Sequence, residues 1–162
     1  MDEGPPSQTG MLMEHSAPNR PVVLVVEDEA MVLMIALEAL ADEGFEAIGA
    51  VDADEALAVL DARDDVDVLF TDINMPGSMN GLRLARAARG RWPAIRIILT
   101  SAIHTAATSE MPAGARFLRK PYRYLDLMAT VRELTMELFS TPDEFVRSAS
   151  PPARKATARG AP

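Results

Sequence analysis

The stretch Val66-Asp-Val-Leu-Phe-Thr-Asp-Ile-Asn-Met-Pro-Gly77 sets a carboxylate, Asp72, directly after an apolar run and directly before a turn. A short apolar run bounded by turn residues reads as a strand covered on both faces, and such strands belong to parallel sheets flanked by helices. Open sheets of that kind gather their chemistry outside the carboxyl ends of the strands, which is where Asp72 falls.

Working outward, Val22-Val-Leu-Val-Val26 is a second continuous β-branched run. A helix over 30–43 follows it, with Glu38 and Asp42 on its wet side and Gly44 as the stop. A weaker strand is expected over 45–51. Asp52-Ala-Asp-Glu55 has the form of a capping box opening a helix to about 63. After the strand at 66–71 come a helix over 82–89, closed by Gly90, and a strand over 95–99. A short, marginal helix is expected within 104–114, where Thr105, Thr108, Ser109 and Pro112 are poor helix formers. A strand over 115–118 and a helix over 125–139, with Leu125, Met128, Leu134 and Leu138 on one stripe, complete the pattern. Strands alternating with helices through short loops imply right-handed crossovers and three layers.

Residues 1–20 and 141–162 are rich in Pro, Gly, Ser and charge and lack periodicity, so both read as disordered tails around a domain at 21–140. The 162 residues contain 48% hydrophobic side chains, enough for one real core. There is no cysteine, which excludes disulfides and thiolate metal sites. The formal charge of −8 argues against general nucleic-acid binding. Apolar runs of only about five to seven residues are too short for a membrane span, and no secretory signal opens the chain, so a cytoplasmic protein is expected.

The strand ends carry the chemistry. Glu27 and Asp28 follow the first strand, Asp72 ends the third, Thr100 the fourth and Lys120 the fifth. Carboxylates brought close together repel, and a hard divalent cation relieves the repulsion. Mg²⁺ suits such oxygen ligands and keeps room for a phosphate oxygen. A carboxylate can also accept a phosphoryl group covalently. The metal, the Lys120 ammonium and the Thr100 hydroxyl would then meet the charge on the transferring oxygens. Taken singly, each residue has an ordinary explanation: a helix-opening acid pair, a turn former, a cap and a solvated lysine. Their placement at four strand tips is what points to a site.

These residues also resemble a known family. Val-Val-Glu-Asp-Glu (25–29), Thr-Asp-Ile-Asn-Met-Pro-Gly (71–77), Leu-Thr-Ser (99–101) and Leu-Arg-Lys-Pro-Tyr (118–122) look like the four signatures of response-regulator receiver domains, over about 21–140. The resemblance implies a three-layer, doubly wound (βα)5 α/β fold of the flavodoxin type, its five-stranded parallel sheet in the order 2-1-3-4-5. It implies that Asp72 is the phosphoacceptor, that Asp28 binds Mg²⁺ directly, Glu27 through water, and Asn74 through its backbone carbonyl. Thr100 would move to the phosphoryl group and Lys120 would pair with it. Phe117 stands at the family's aromatic switch position, where a phenyl ring lacks the hydroxyl of a tyrosine, so its movement would rest on packing. A cis bond before Pro121 is also implied, affordable because X–Pro bonds lose only about 0.5–1 kcal/mol on going cis. The loop after Asp72 is one residue longer than in the simplest members.

On this reading the chain is a stand-alone regulator similar to chemotaxis regulators. It takes its phosphoryl group from a histidine kinase or histidine phosphotransfer protein and acts through an unidentified output protein. It would catalyse only its own phosphorylation and slow dephosphorylation, and would need neither nucleic acid nor membrane. A phosphorelay intermediate or phosphate sink is the variant within this class. An aspartyl-nucleophile phosphohydrolase needs two aspartates spaced by two after the first strand, where Glu27-Asp28-Glu29 stands instead. A flavin or nucleotide module needs a Gly/Ser/Thr-rich cradle at the same place. Arg83, Arg86, Arg89 and Arg91 read as a solvated helix face, Met75, Met79 and Met111 as gap fillers, and His15 and His104 as residues without a role. Arg154, Lys155 and Arg159 read as part of a solubilising end.

Overall fold

Alternate residues of a strand face opposite ways, so a strand of five apolar residues must feed two cores at once. In the first strand, β1 (Val22–Val26), every residue is buried. Val22, Leu24 and Val26 enter one apolar cluster, and Val23 and Val25 enter another. A computed structural model describes residues 20–102 and 109–140, with side chains to 137. The elements after β1 are α1 (Ala30–Asp42), β2 (Glu46–Ala50), α2 (Ala53–Ala62), β3 (Val66–Asp72), α3 (Gly81–Arg91), β4 (Arg96–Ser101), β5 (Arg116–Arg119) and α4 (Tyr124–Ser140). The strands form one parallel sheet in the order β2-β1-β3-β4-β5, as expected of the doubly wound fold. α2 and α3 cover one face through Ala53, Ala56, Leu60, Leu84, Ala85 and Ala88. α1 and α4 cover the other through Leu33, Ala36, Leu40, Leu127, Val131 and Leu134.

Asp67 is the one charge inside the apolar run of β3. The register slips there: Val22 pairs with Val66 but Val23 pairs with Val68. The bulge takes Asp67 out of the pairing, and its Oδ2 accepts the Val22 amide at 2.9 Å. Downstream, Leu69 joins the α2/α3 core and Phe70 the α1/α4 core. Leu69 is fully buried at 0% exposure, so Leu69→Ala should cost about 2–5 kcal/mol of unfolding free energy, to be read from urea denaturation.

Helix ends mostly follow the local rules, although Glu29, at the start of α1, makes no side-chain capping bond. Gly44 ends α1 at φ +91°, a conformation other residues adopt only with strain. Asp52 caps α2, its Oδ1 accepting the Glu55 amide at 2.9 Å, while Glu55 Oε2 accepts the Val51 amide at 2.9 Å. Gly90, expected to close the third helix, lies inside α3, which runs on to Arg91. Its cost of about 0.5–1 kcal/mol is outweighed by the buried Leu84, Ala85 and Ala88 on the same helix. The stripe of the last helix also shifts. Leu125 is 69% exposed, and the buried face is Leu127, Met128, Val131 and Leu134. The helix begins at Tyr124, whose hydroxyl donates to Ala39 O at 3.1 Å, and its rotation follows the burial of those four side chains.

The arginine stripe on α3 is less free than its exposure suggests. Arg86 bonds the Glu110 carbonyl and carboxylate, Arg89 the Pro93 carbonyl, and Arg91 pairs with Asp61 and lies over the Trp92 ring. Met75 is buried, and Met79 and Met111 pack against the same core, so all three fill gaps. Residues 109–114 hold no α-helix; the rest of the expected marginal helix, His104 and both tails, with His15, Arg154, Lys155 and Arg159, lie largely or wholly outside the described residues. Among the described residues no helix is long and apolar enough to cross a membrane.

Candidate phosphoacceptor site

Parallel register brings the candidate residues together. Asp72 and Thr100 are direct partners across β3 and β4, Thr71 lies opposite Val26, and Thr100 lies opposite Leu118. Glu27 and Lys120 are each the first residue past a strand end, so both overhang the same edge. The Lys120–Pro121 peptide is cis, and the Lys120 amide donates to Ser101 O at 2.9 Å.

Lys120 Nζ donates to Asp72 Oδ2 at 2.6 Å and to Glu27 Oε2 at 2.7 Å. The other Asp72 oxygen, Oδ1, accepts the Asn74 amide at 3.0 Å. Both oxygens of the central carboxylate are therefore held by donors, and its plane is fixed. Asp72 is 7% exposed and Glu27 4%, while Asp28 is exposed and faces solvent. Glu27, Asp28 and Asp72 each offer an oxygen, and these oxygens lie within 4.8 Å of one another.

Two acids against one ammonium leave the buried part of the site with excess negative charge. Burial pushes the Glu27 carboxyl above its ordinary value, against the opposing hydrogen bonds from Lys120 and the Glu29 amide. Burial also works against the Lys120 ammonium, but its bonds to Asp72 and Glu27 outweigh this and hold its pKa above the usual lysine range. Lys120 is thus a cation at neutral pH. Thr100 Oγ1 is buried with no hydrogen-bond partner. A buried hydroxyl without a partner costs free energy, and this one belongs to the residue paired in register with Asp72 across the sheet, with a donor to offer.

The donor set fits a hard divalent cation: three carboxylates in reach of one point, two of them buried, with a solvent-facing entry at Asp28. The native state holds the Glu27 proton more tightly than the unfolded chain, so stability from this group is greatest at low pH and is lost as pH rises through its folded pKa. In metal-free buffer at pH 7.5, Glu27→Gln should stabilise the protein by about 0.5–2 kcal/mol. The gain should vanish as pH falls below the folded pKa of Glu27. Thermal melts of both proteins across pH 4–8 check the sign.

Of the candidates, Glu27, Asp28, Asp72, Thr100 and Lys120 meet at one place, and Asn74 adjoins them through its amide. Phe117 stands apart: it is partly buried against the α2/α3 core and pairs in register with Leu99. Two residues had been given no role. Gly81 packs so tightly under Asp72 that a Cβ there would sit 1.8 Å from the Asp72 carbonyl oxygen. The Asn80-Gly81 pair, a helix cap followed by the smallest residue, was the available signal. Ser101, next to Thr100, accepts a hydrogen bond from Asn74 Nδ2 at 2.7 Å.

The family described as the response regulator receiver domain matches residues 23–132. Among curated relatives, the nitrogen assimilation regulatory protein NtrX of Azorhizobium caulinodans is 31% identical over 119 residues, 71% of this chain and 26% of that protein. The transcriptional regulatory protein CpxR of Escherichia coli is 32% identical over 115 residues, 69% of this chain and 48% of that protein. The chain thus spans from about a quarter to a half of the length of these relatives. Among solved structures, a CheY-like receiver domain protein of Methanospirillum hungatei superposes with a TM-score of 0.70 at 25% identity, covering 75% of this chain and 99% of its own. The response regulator TrrA of Thermotoga maritima, solved in complex with Mg(2+)-BeF, gives 0.62 at 27% identity, covering 70% and 98%. With its signatures gathered at one sheet edge and the family matched across most of its length, this chain belongs to the response regulator receiver domains.

Proposed function

We propose that Asp72 is the phosphoacceptor of a two-component or phosphorelay pathway, with a histidine kinase or histidine phosphotransfer protein as donor. The observation that carries this reading is a buried Asp72 carboxylate held at both oxygens, beside the cationic Lys120 and the unpartnered Thr100 hydroxyl. A carboxylate oxygen of Asp72 attacks phosphorus, an O–P bond forms and the P–N bond to imidazole breaks. The departing nitrogen keeps the electron pair and is protonated from solvent. Glu27, Asp28, Asp72 and the Asn74 carbonyl would hold Mg²⁺, which would supply neutralisation of the phosphoryl oxygens; the Mg(2+)-BeF complex of the similar TrrA is in keeping with such a cation.

Lys120 bridges Asp72 and Glu27 before transfer and pairs with a phosphoryl oxygen after it. The Thr100 hydroxyl gains an acceptor at the same step, because the new phosphoryl group stands where its donor had none. Moving Thr100 disturbs β4 and the adjoining β5, where Phe117 lies against Leu99. That gives a route by which phosphorylation alters contacts with an output protein. Incubation with Mg²⁺ and acetyl phosphate should add one acid-stable, base-labile phosphoryl group, read by intact mass. An unchanged mass with both this donor and a phosphorylated histidine domain overturns the proposal.

A further inference from the structure

We propose that Ser101 is a positioning residue for the cation-binding loop, acting through its hydrogen bond to the Asn74 side chain; this rests on the proposed function. The loop between β3 and α3 has to present a backbone carbonyl, that of Asn74, to the acidic cluster. Asn74 is exposed, and solvent offers no fixed partner to orient it. Its amide is tied to Asp72 Oδ1 at 3.0 Å, and its carbonyl is oriented only indirectly, by the Met75 amide of the same peptide plane donating to Ile73 O at 3.2 Å. The side chain supplies the second tie: Asn74 Nδ2 donates to Ser101 Oγ at 2.7 Å, across 27 residues of sequence.

Ser101 is well placed as an anchor. It closes β4, is 2% exposed, and its carbonyl accepts the Lys120 amide at 2.9 Å. One residue thereby holds the loop that carries Asn74 and the strand end that carries Lys120. The other ties of the loop are bonds from Met75 N and Gly81 N to Ile73 O, and from Ser78 Oγ to Asp54 Oδ1. Of these, only the Met75 bond bears on the Asn74 carbonyl, through the peptide plane they share. Removing the Ser101 hydroxyl therefore leaves the Asn74 carbonyl to the Met75 bond alone, loosening a cation ligand without touching any carboxylate.

The test is calorimetric titration of Mg²⁺ into the full chain, comparing wild type, Ser101→Ala, Asn74→Ala and the double variant. Each single change should weaken Mg²⁺ binding about three- to tenfold, the span expected for one lost side-chain hydrogen bond. The double variant should be no weaker than the weaker single, because both delete the same bond. With acetyl phosphate, Ser101→Ala should need correspondingly more Mg²⁺ for half-maximal phosphorylation, while its rate at saturating Mg²⁺ stays within about twofold of wild type. A merely destabilised fold would not separate the two quantities. Wild-type Mg²⁺ affinity in both single variants, or deficits that add in the double, overturns the inference. Failure of the wild type itself to bind Mg²⁺ would sink the proposed function instead.

Discussion

Asp72→Asn should remain folded and take up no phosphoryl group from acetyl phosphate and Mg²⁺, the intact mass staying unshifted under conditions that label the wild type fully. An amide oxygen is a poor nucleophile, and no other acid occupies the position held by Lys120 and the Asn74 amide. Both oxygens of Asp72 act as acceptors, to Lys120 and to Asn74. Asn offers one acceptor, so one of the two bonds is lost, at about 0.5–1.5 kcal/mol. Loss of the Asp72 charge removes its repulsion of Glu27, a smaller contribution beside burial to the raised Glu27 pKa. The two effects oppose each other, and the metal-free melting temperature should move little. A label that persists in Asp72→Asn at the wild-type level would remove the assignment.

Gly81→Ala should be the most damaging single-methyl change in the site. Alanine is the better helix former by about 1 kcal/mol, so intrinsic propensity alone predicts a gain. Here the added carbon would lie 1.8 Å from Asp72 O, 2.7 Å from Asp72 C and 2.8 Å from Thr71 Oγ1. Two of these are backbone atoms of the strand that carries the acceptor, so relief has to move β3 or the start of α3. The clash should win, costing about 3 kcal/mol or more in urea denaturation and weakening Mg²⁺ binding by displacing Asp72. Gly90→Ala supplies the contrast on the same helix. No atom lies within 4 Å of its Cβ position, and the change should stabilise by about 0.5–1 kcal/mol. Equal effects from the two substitutions would show that α3 does not press on the site as described.

Where the tertiary surroundings left local choices alone, local reading was enough. The apolar runs at 22–26 and 66–71 had no option but a two-faced burial, and Asp52 caps α2 as its spacing to Glu55 indicated. Readings failed where a distant contact outvoted a local rule. Gly90 stayed helical because neighbouring side chains of α3 are buried. Leu125 turned outward because Leu127, Met128, Val131 and Leu134 pack into the core against residues of β1 and β3, far away in the chain. Residue types at the strand tips disclosed which groups form the site but not how they bond. Ser101 was visible in its motif without any sign that its hydroxyl would meet a side chain 27 positions earlier.

By itself, the chain determined the order of strands and helices and the chemical kind of each group at the sheet edge, because periodicity and turn residues act over a few neighbours. Only the folded sheet decided that Lys120 would bridge Glu27, 93 residues away, and Asp72, that the Thr100 hydroxyl would be buried without a partner, and that α3 would start against the Asp72 carbonyl. Those outcomes depend on strand register and on hydrogen bonds a few ångströms long between segments far apart in the chain, and no local pattern encodes such distances.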